Sequence, residues 1–172
     1  MLKLQYDEKT GVVGKAYPSS YDVAIPYKEI DEETNDKIAA DAENIYFVVN
    51  DELTTTPTDG YKAKLTAQNE ALFNANFVKS SFGYLRKIPQ GFSDLMSSFD
   101  TALNNCRLLA KSGKKLPANT IKYYQLPDFT KTQAEIEADL LANIKGLPEM
   151  DEDAFAPYYL EVSQIWLTIH QA

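Results

Sequence analysis

Residues 24–57 alternate short extended and helical patterns within a few residues of each other, and this restricts the fold more than any other feature. Asp31 followed by two glutamates is typical of a helix N-terminus, where negative charge is favoured. The predicted segments are a strand at 25–30, a helix at 31–40, a strand at 45–49, a turn at 50–52 and a strand at 53–55. This order predicts a small β-rich module.

The flanking residues extend this module and mark its end. Leu2–Tyr6 and Val12–Tyr17 have strand-like patterns, and the polar residues between them, closed by Gly11, predict a hairpin turn. Residues 56–60, Thr-Pro-Thr-Asp-Gly, lack periodicity and predict a linker. We therefore predict a β-rich module at 1–57 and an α+β domain at 61–172.

The second half combines longer helical patterns with short apolar strands. The strand at 83–88, the helix at 93–112 and the strand at 121–126 follow one another as in a βαβ unit, with Ser93 as a candidate cap and Ser112-Gly113 as the helix stop. Further helices are predicted at 61–79, 132–145 and 153–170. The predicted fold class is α+β, a small β-rich module followed by a helix-rich domain with a short sheet.

Two helices have a clear apolar face. Cys106 lies on the apolar face of the helix at 93–112 and should pack as a small hydrophobe. Pro157 should be accommodated in the last helix only because it falls in the opening turn. The apolar stripe of that helix consists of Phe155, Tyr158, Val162, Ile165, Trp166 and Ile169. We interpret this stripe first as core and second as a docking face for a partner helix.

Composition argues against several classes of function. The net charge of −8 and the pI near 4.7 disfavour general binding of nucleic acid or of an anionic membrane. No apolar run approaches the roughly 20 residues that span a bilayer, so no membrane insertion is expected. The N-terminus resembles no secretion signal, and the single cysteine cannot form an internal disulfide. We expect a protein made in a reducing cytoplasm.

Charge changes sign along the chain. Residues 1–60 have five lysines and thirteen acidic residues, whereas residues 61–130 have ten basic and four acidic residues. Residues 131–172 have two lysines and eight acidic residues. This order either reflects ordinary solvated surfaces or allows attraction within and between chains, which salt would weaken.

No residue pattern predicts catalysis. His170 is the only histidine and lies near the C-terminus, without a second metal ligand close in sequence. Neither Asp31-Glu32-Glu33 nor Asp151-Glu152-Asp153 has the spacing of a calcium loop, and both stand where a helix start favours negative charge. The sequence has no glycine-rich phosphate loop. We expect no enzyme activity, no metal and no cofactor.

A basic and aromatic group in the second half is the best candidate for an interaction surface. If the basic and aromatic residues share one end of the sheet, they could contact acidic protein segments. They could also stack on single-stranded nucleic acid, but the flanking acidic segments disfavour binding of nucleic acid. The candidate interaction residues are Arg86, Lys87, Lys111, Lys114, Lys115, Tyr123 and Tyr124, with Tyr84 and Lys122 beside them.

The segment order at 24–57, the run FVKSSFGYLRK at 77–87 and the run YQLPDFT at 124–130 resemble a recurring layout. It is that of small tail-associated and tail-fibre-assembly proteins from bacteriophages of Firmicutes. There a helix leads into a Gly-Tyr-hydrophobic-Arg strand, and a Pro-Asp-Phe segment precedes the terminal helices. The resemblance implies no catalytic residues.

The resemblance implies one of two classes of function. The first is a structural or adhesion-linked component of the phage tail, with other tail proteins or its own copies as partners and possible contact with the host surface. The second is a helper outside the virion, either a tail-fibre assembly chaperone or a small protein that sequesters a host factor.

Overall fold

The computed structural model describes residues 1–87 and 89–171, which form two compact units, Met1–Gln68 and Asn69–Ala172. Ile88, the last residue of a predicted strand, lies outside the described residues, as does Ala172. Each unit combines helices with antiparallel sheet, so the predicted α+β class is confirmed.

The first unit is built on a sheet with the strand order β2-β1-β3. Its strands are β1 (Leu2–Tyr6), β2 (Val13–Pro18) and β3 (Tyr27–Ile30), and all pairing is antiparallel. Strand alternation buries Leu4 and Ile30 on one face of this sheet. The predicted bounds of β1 are confirmed, and β2 and β3 begin one and two residues later than predicted.

A short helix and a hairpin follow β3. Helix α1 (Glu32–Ala40) begins at the predicted cap, because an Asp31 carboxylate oxygen accepts from Thr34 N at 2.7 Å. Strands β4 (Phe47–Val49) and β5 (Glu52–Thr54) pair through a two-residue turn. Asn50 and Asp51 in this turn have φ angles of 49° and 62°, as a type I′ turn requires.

The segment predicted as a linker packs onto the first unit. The Thr58 hydroxyl donates to the carbonyl of Thr10 at 2.6 Å and accepts from Tyr61 N at 3.0 Å. A Cβ on Gly60 would lie 2.0 Å from the Lys9 carbonyl oxygen, so only glycine fits there. Helix α2 (Asp59–Asn76) begins within this segment and crosses the division between the two compact units. The division into modules 1–57 and 61–172 stays a prediction.

The second unit contains an antiparallel sheet with the strand order β6-β7-β8-β9. The strands are β6 (Phe77–Ser80), β7 (Gly83–Arg86), β8 (Lys122–Tyr124) and β9 (Ile144–Gly146). The helices of this unit, besides the end of α2, are α3 (Pro89–Ala110), α4 (Gln133–Ala142) and α5 (Glu152–His170).

Residues on the two faces of this sheet pack into two different hydrophobic clusters. Leu85 and Tyr123 pack with side chains of α3 and α5, including Phe99 and Phe155. Tyr84 and Tyr124 pack with Phe73, Phe77, Ile136 and Leu140, which come from α2, β6 and α4. The sheet thus separates the helix pair α3–α5 from the aromatic cluster.

Several predicted boundaries in this unit are wrong because strand pairing overrides local helical pattern. The predicted helix 61–79 ends at Asn76, since Phe77–Ser80 pairs with β7. The predicted helix 132–145 ends at Ala142, and Ile144–Gly146 pairs with β8. Helix α3 starts at Pro89 rather than Ser93, and proline is favoured in the first turn of a helix.

The predicted βαβ unit is wrong in topology. Strands β7 and β8 are neighbours but antiparallel, with Tyr84 opposite Tyr124. A βαβ unit requires parallel strands, and the long connection at 111–121 allows the chain to enter β8 in the opposite direction.

The last helix departs from prediction at Pro157, and the side chains of its apolar stripe are buried to different depths. Pro157 lies in the second turn of α5, not in the opening turn, so the carbonyl of Asp153 lacks its usual helical donor. Phe155 and Val162 are fully buried as predicted, whereas Trp166 is only half-buried. The stripe therefore forms part of the core, and the partner-helix alternative is not needed to explain it.

Candidate functional site

Three of the predicted interaction residues lie together after α3. Lys111, Lys114 and Lys115 are exposed, and none forms an ion pair with another described residue. Gly113, at φ 66°, ends the helix, and Lys114 N donates to the carbonyl of Leu109 at 3.0 Å. The predicted helix stop is confirmed, and we refer to these three residues as the lysine loop.

Arg86 and Lys87 lie at the other end of α3. That helix begins at Pro89 and has 22 residues, so its ends are about 33 Å apart. Lys87 Nζ donates to the carbonyl of Asn74 at 2.8 Å, and the Arg86 guanidinium lies 5.6 Å from the centre of the Phe77 ring. The expectation that all the basic residues share one end of the sheet is therefore wrong.

The tyrosines of the predicted surface are partly buried in the two clusters of the second unit. Tyr123 packs edge-on against Phe82 at 5.4 Å, and Tyr124 packs edge-on against Phe77 at 5.1 Å. Tyr84 packs against Phe73 at 5.1 Å. These tyrosines face opposite sides of the sheet, so the structure does not combine them with the lysines into a basic aromatic groove.

The side chains considered for chemistry have structural roles. Cys106 is buried on the apolar face of α3 as predicted, and burial, with a smaller contribution from Glu152 and Asp151, raises the pKa of its thiol. His170 stacks on Trp166 with ring centres 4.4 Å apart. Asp31 and Asp151 each accept a capping hydrogen bond, which confirms their predicted positions at helix starts.

Residues 1–87 and 89–171 contain no group of three or more His, Cys, Asp and Glu side chains placed to hold a metal ion. Within the same residues, no helix has the length and apolar character to cross a membrane.

The first unit has an open cleft of about 810 Å³. Its apolar lining includes Val12, Val13, Ile25 and Pro26, and Tyr6 and Tyr61 add two rings. Its polar lining comprises Gln5, Asp7, Glu8, Lys9, Thr10, Lys64 and Gln68. The volume lies within the range of small-molecule binding sites.

Asp7 is held in a fixed position at this cleft. Its Oδ1 accepts from the Thr10 hydroxyl at 2.6 Å and from Thr10 N at 2.7 Å. These hydrogen bonds, with a smaller contribution from the charge of Lys64, hold the pKa of the Asp7 carboxyl below its ordinary value. The folded state therefore favours the ionised form of this carboxyl.

Beside the cleft, the sheet of the first unit presents a tyrosine-bearing surface. Lys3 pairs with Tyr17 on β2 and with Glu29 on β3, and Gln5 pairs with Tyr27. Because paired residues share a face, these five side chains lie opposite the buried Leu4 and Ile30. We call them, together with Tyr21, the tyrosine face.

The sequence predicted the strands of this surface but not the register in which they pair. The strand predictions at 2–6 and 12–17 were correct in type, and Tyr27 lay in a predicted extended run. Only the pairing shows that Lys3, Tyr17 and Glu29 form one row. The abundance of tyrosine, eleven residues, was the one compositional signal for such a surface.

Comparison with known proteins gives no match. No family model, no curated protein and no solved structure is significantly similar to this chain.

Proposed function

We propose that this chain is a structural, tail-associated protein of a bacteriophage and that it acts by protein–protein assembly without catalysis. The phage assignment rests on the resemblance of residues 24–57, 77–87 and 124–130 to small phage tail proteins. The assembly role rests on one structural observation, the presence of two exposed surfaces with opposite and unpaired charge.

The lysine loop is the positive surface. Its three side chains are exposed, and their charges are not neutralised by ion pairs among the described residues. The negative surface is α1 and the residues after it. This helix buries none of its side chains, and Glu32, Asp36 and Glu43 are exposed without ion pairs among the described residues.

Opposite charges on two surfaces of one chain favour association between copies, or with other tail proteins that have similar surfaces. Exposed single ion pairs contribute about 0–1 kcal/mol each, so several must act together. Such contacts are strongly screened by salt.

The test is the mass of the protein in solution, measured by light scattering after size-exclusion chromatography. We expect complexes at about 0.05 M salt that dissociate by about 0.5 M, as the Debye length falls from about 14 to about 4 Å. Replacing Lys111, Lys114 and Lys115 with Glu should abolish the complexes at low salt.

A matched control has the same change in charge at Lys15, Lys79 and Lys145, which are also exposed and form no ion pair with a described residue, and it should associate like the parent protein. Replacing Glu32, Asp36 and Glu43 with Lys should also prevent association, and mixing the two reversed variants should restore it. A parent protein that stays monomeric at low salt and binds no other tail protein would contradict the assembly role.

Mass spectrometry of purified virions tests the tail assignment separately. The protein should be present in stoichiometric amounts. Association in solution together with absence from virions would instead indicate the alternative, an assembly chaperone or a protein that sequesters a host factor.

A further inference from the structure

We propose that the first unit binds an uncharged, extended β-linked oligosaccharide along the tyrosine face and the adjoining cleft. This binding goes beyond the proposed assembly role and does not depend on it, because it uses neither the lysine loop nor α1.

Exposed rings are the first observation. Tyr21 and Tyr27 expose 61% and 41% of their surface, and Tyr17 is half-buried beside Tyr21 with ring centres 6.4 Å apart. A tyrosine ring presents an apolar face for stacking and a hydroxyl for hydrogen bonding. Sugar rings have the matching chemistry, with axial C–H groups on their faces and hydroxyls at their edges.

Lys3 holds these rings in place. Its Nζ donates to the carbonyl of Tyr21 at 2.9 Å and lies 4.8 Å from the centre of the Tyr27 ring. The ammonium group is thereby shared between the loop that carries Tyr21 and the strand that carries Tyr27. A surface whose rings are positioned before binding loses less conformational entropy when a ligand docks.

The tyrosine face is continuous with the cleft. Gln5 belongs to the face through its pairing with Tyr27, and it also lines the cleft with Pro26, the residue before Tyr27. Tyr17 and Tyr27 lie on the two edge strands, which are about 10 Å apart, and they are offset by two residues along the sheet, since Tyr17 pairs with Lys3 and Tyr27 with Gln5. An extended chain of several sugar rings would therefore span both tyrosines and continue into the cleft.

Local charge favours a neutral ligand. The face, the cleft and the charged residues directly beside Tyr17 and Tyr21 contain four lysines and four acidic residues. They are Lys3, Lys9, Lys15 and Lys64 and, against them, Asp7, Glu8, Asp22 and Glu29. This balance contrasts with the excess of acidic residues over residues 1–60 as a whole. A polyanion such as nucleic acid would find no net positive charge here. The polar side chains of Lys3, Gln5 and Glu29, on the same face as Tyr17 and Tyr27, interrupt the apolar patch that a partner helix needs.

The experiment is isothermal titration calorimetry of the full chain with cellohexaose and with chitohexaose, in 0.5 M NaCl. At this salt concentration charge-driven association is screened, so failure of this proposal and failure of the assembly role can be distinguished. Maltohexaose, whose α-linkages curve the chain, tests the need for an extended ligand. A heparin hexasaccharide tests the role of charge, and it is titrated at about 0.05 M NaCl, where charge is less screened, into the variant with Lys111, Lys114 and Lys115 replaced by Glu, which lacks the lysine loop.

We expect at least one of the two β-linked hexasaccharides to bind more tightly than both maltohexaose and heparin. Tyr21→Ala and Tyr27→Ala should each weaken this binding about ten-fold, whereas Tyr27→Phe, which keeps the ring, should stay within about two-fold. Tyr21 lies outside the strands, so its replacement does not disturb the pairing of the sheet. Leu141→Ala, at an exposed position of the second unit, should leave the affinity unchanged.

Three calorimetric results would overturn the proposal. They are the absence of binding to both β-linked hexasaccharides at millimolar concentration, tighter binding of heparin than of either, and unchanged affinity in Tyr21→Ala. Amide chemical-shift changes in the parent protein should concentrate at residues 3–27 and 61–68. Shifts confined to the second unit would likewise overturn the proposed location.

Discussion

Phe155 and Leu160 lie on the same helix, and their surroundings differ completely. Phe155 has no exposed surface and packs against Phe99 with ring centres 5.4 Å apart, whereas Leu160 exposes 59% of its surface. Trp166 lies between these extremes, since it packs against the same cluster but is half-buried. Its indole N–H is shielded from solvent without a hydrogen-bond acceptor among the described residues, which reduces the net gain from burying the ring.

These three environments predict a graded series of alanine substitutions. Phe155→Ala should lower the free energy of unfolding by about 3–5 kcal/mol, because it creates a cavity in a fully packed core. Leu160→Ala should lower it by less than about 0.5 kcal/mol, because the side chain is already mostly hydrated. Trp166→Ala should fall between the two. Urea denaturation measures all three, and a cost for Leu160→Ala equal to that of Phe155→Ala would show that α5 has a buried partner on its outer face.

At the scale of single elements, the ends of helices are defined by side chains that the sequence makes recognisable. Thr132 and Glu135 form a complete capping box at the start of α4. The Thr132 hydroxyl and N–H donate to Glu135 Oε2 at 2.7 and 2.9 Å, and these bonds hold the pKa of the Glu135 carboxyl below its ordinary value of 4.5. The folded state thus favours the ionised form of this residue.

This shift predicts a specific acid sensitivity. A carboxyl whose pKa is lowered on folding stabilises the protein above its ordinary pKa, and this contribution is lost as the pH falls below 4.5 and through the lower folded value. Glutamine keeps the capping box but does not titrate, so Glu135→Gln should lose less stability between pH 5 and pH 3 than the parent protein loses. The control is Glu137→Gln on the same helix, at an exposed carboxylate without a hydrogen bond or ion pair in the described residues. Unfolding midpoints that decrease equally with pH in all three proteins would contradict this role of Glu135.

Elements defined by local signals were predictable from the sequence, and elements defined by distant partners were not. The cap at Asp31, the turn at Asn50-Asp51 and the stop at Gly113 each require a particular residue type, and each lies where it was predicted. Strands β6 and β9 each follow a helix closely and contain only four and three residues, so no local pattern separates them from the helix.

Prediction of the candidate sites from sequence was limited in the same way. The exposure of the lysine loop followed from sequence, whereas the tyrosine face depends on strand register, which sequence alone did not show.

At the scale of the whole molecule, the chain has separate sets of buried side chains. Leu4, Ile30, Phe47 and Val48 are buried in the first unit, and Phe47 packs edge-on against Tyr61 at 5.1 Å. The second unit has its own two clusters, on the two faces of its sheet. A unit with its own hydrophobic core can in principle unfold by itself. Helix α2 belongs to both units. The module boundary is therefore the residue of α2 that separates amides that unfold with the first unit from amides that unfold with the second.

Hydrogen exchange of Phe155→Ala tests this independence. The substitution removes core packing of the second unit only, so amides of the second unit should lose protection equivalent to about 3–5 kcal/mol. Amides of β1, β3 and β4 should keep the protection of the parent protein, because the buried side chains around them are unchanged. Within α2, the residue at which the loss of protection begins will locate the boundary, either near the predicted residues 57–61 or near Gln68, where the compact units divide. An equal loss of protection in both units would show that the chain unfolds as a single cooperative unit, and the prediction of two modules would then be wrong.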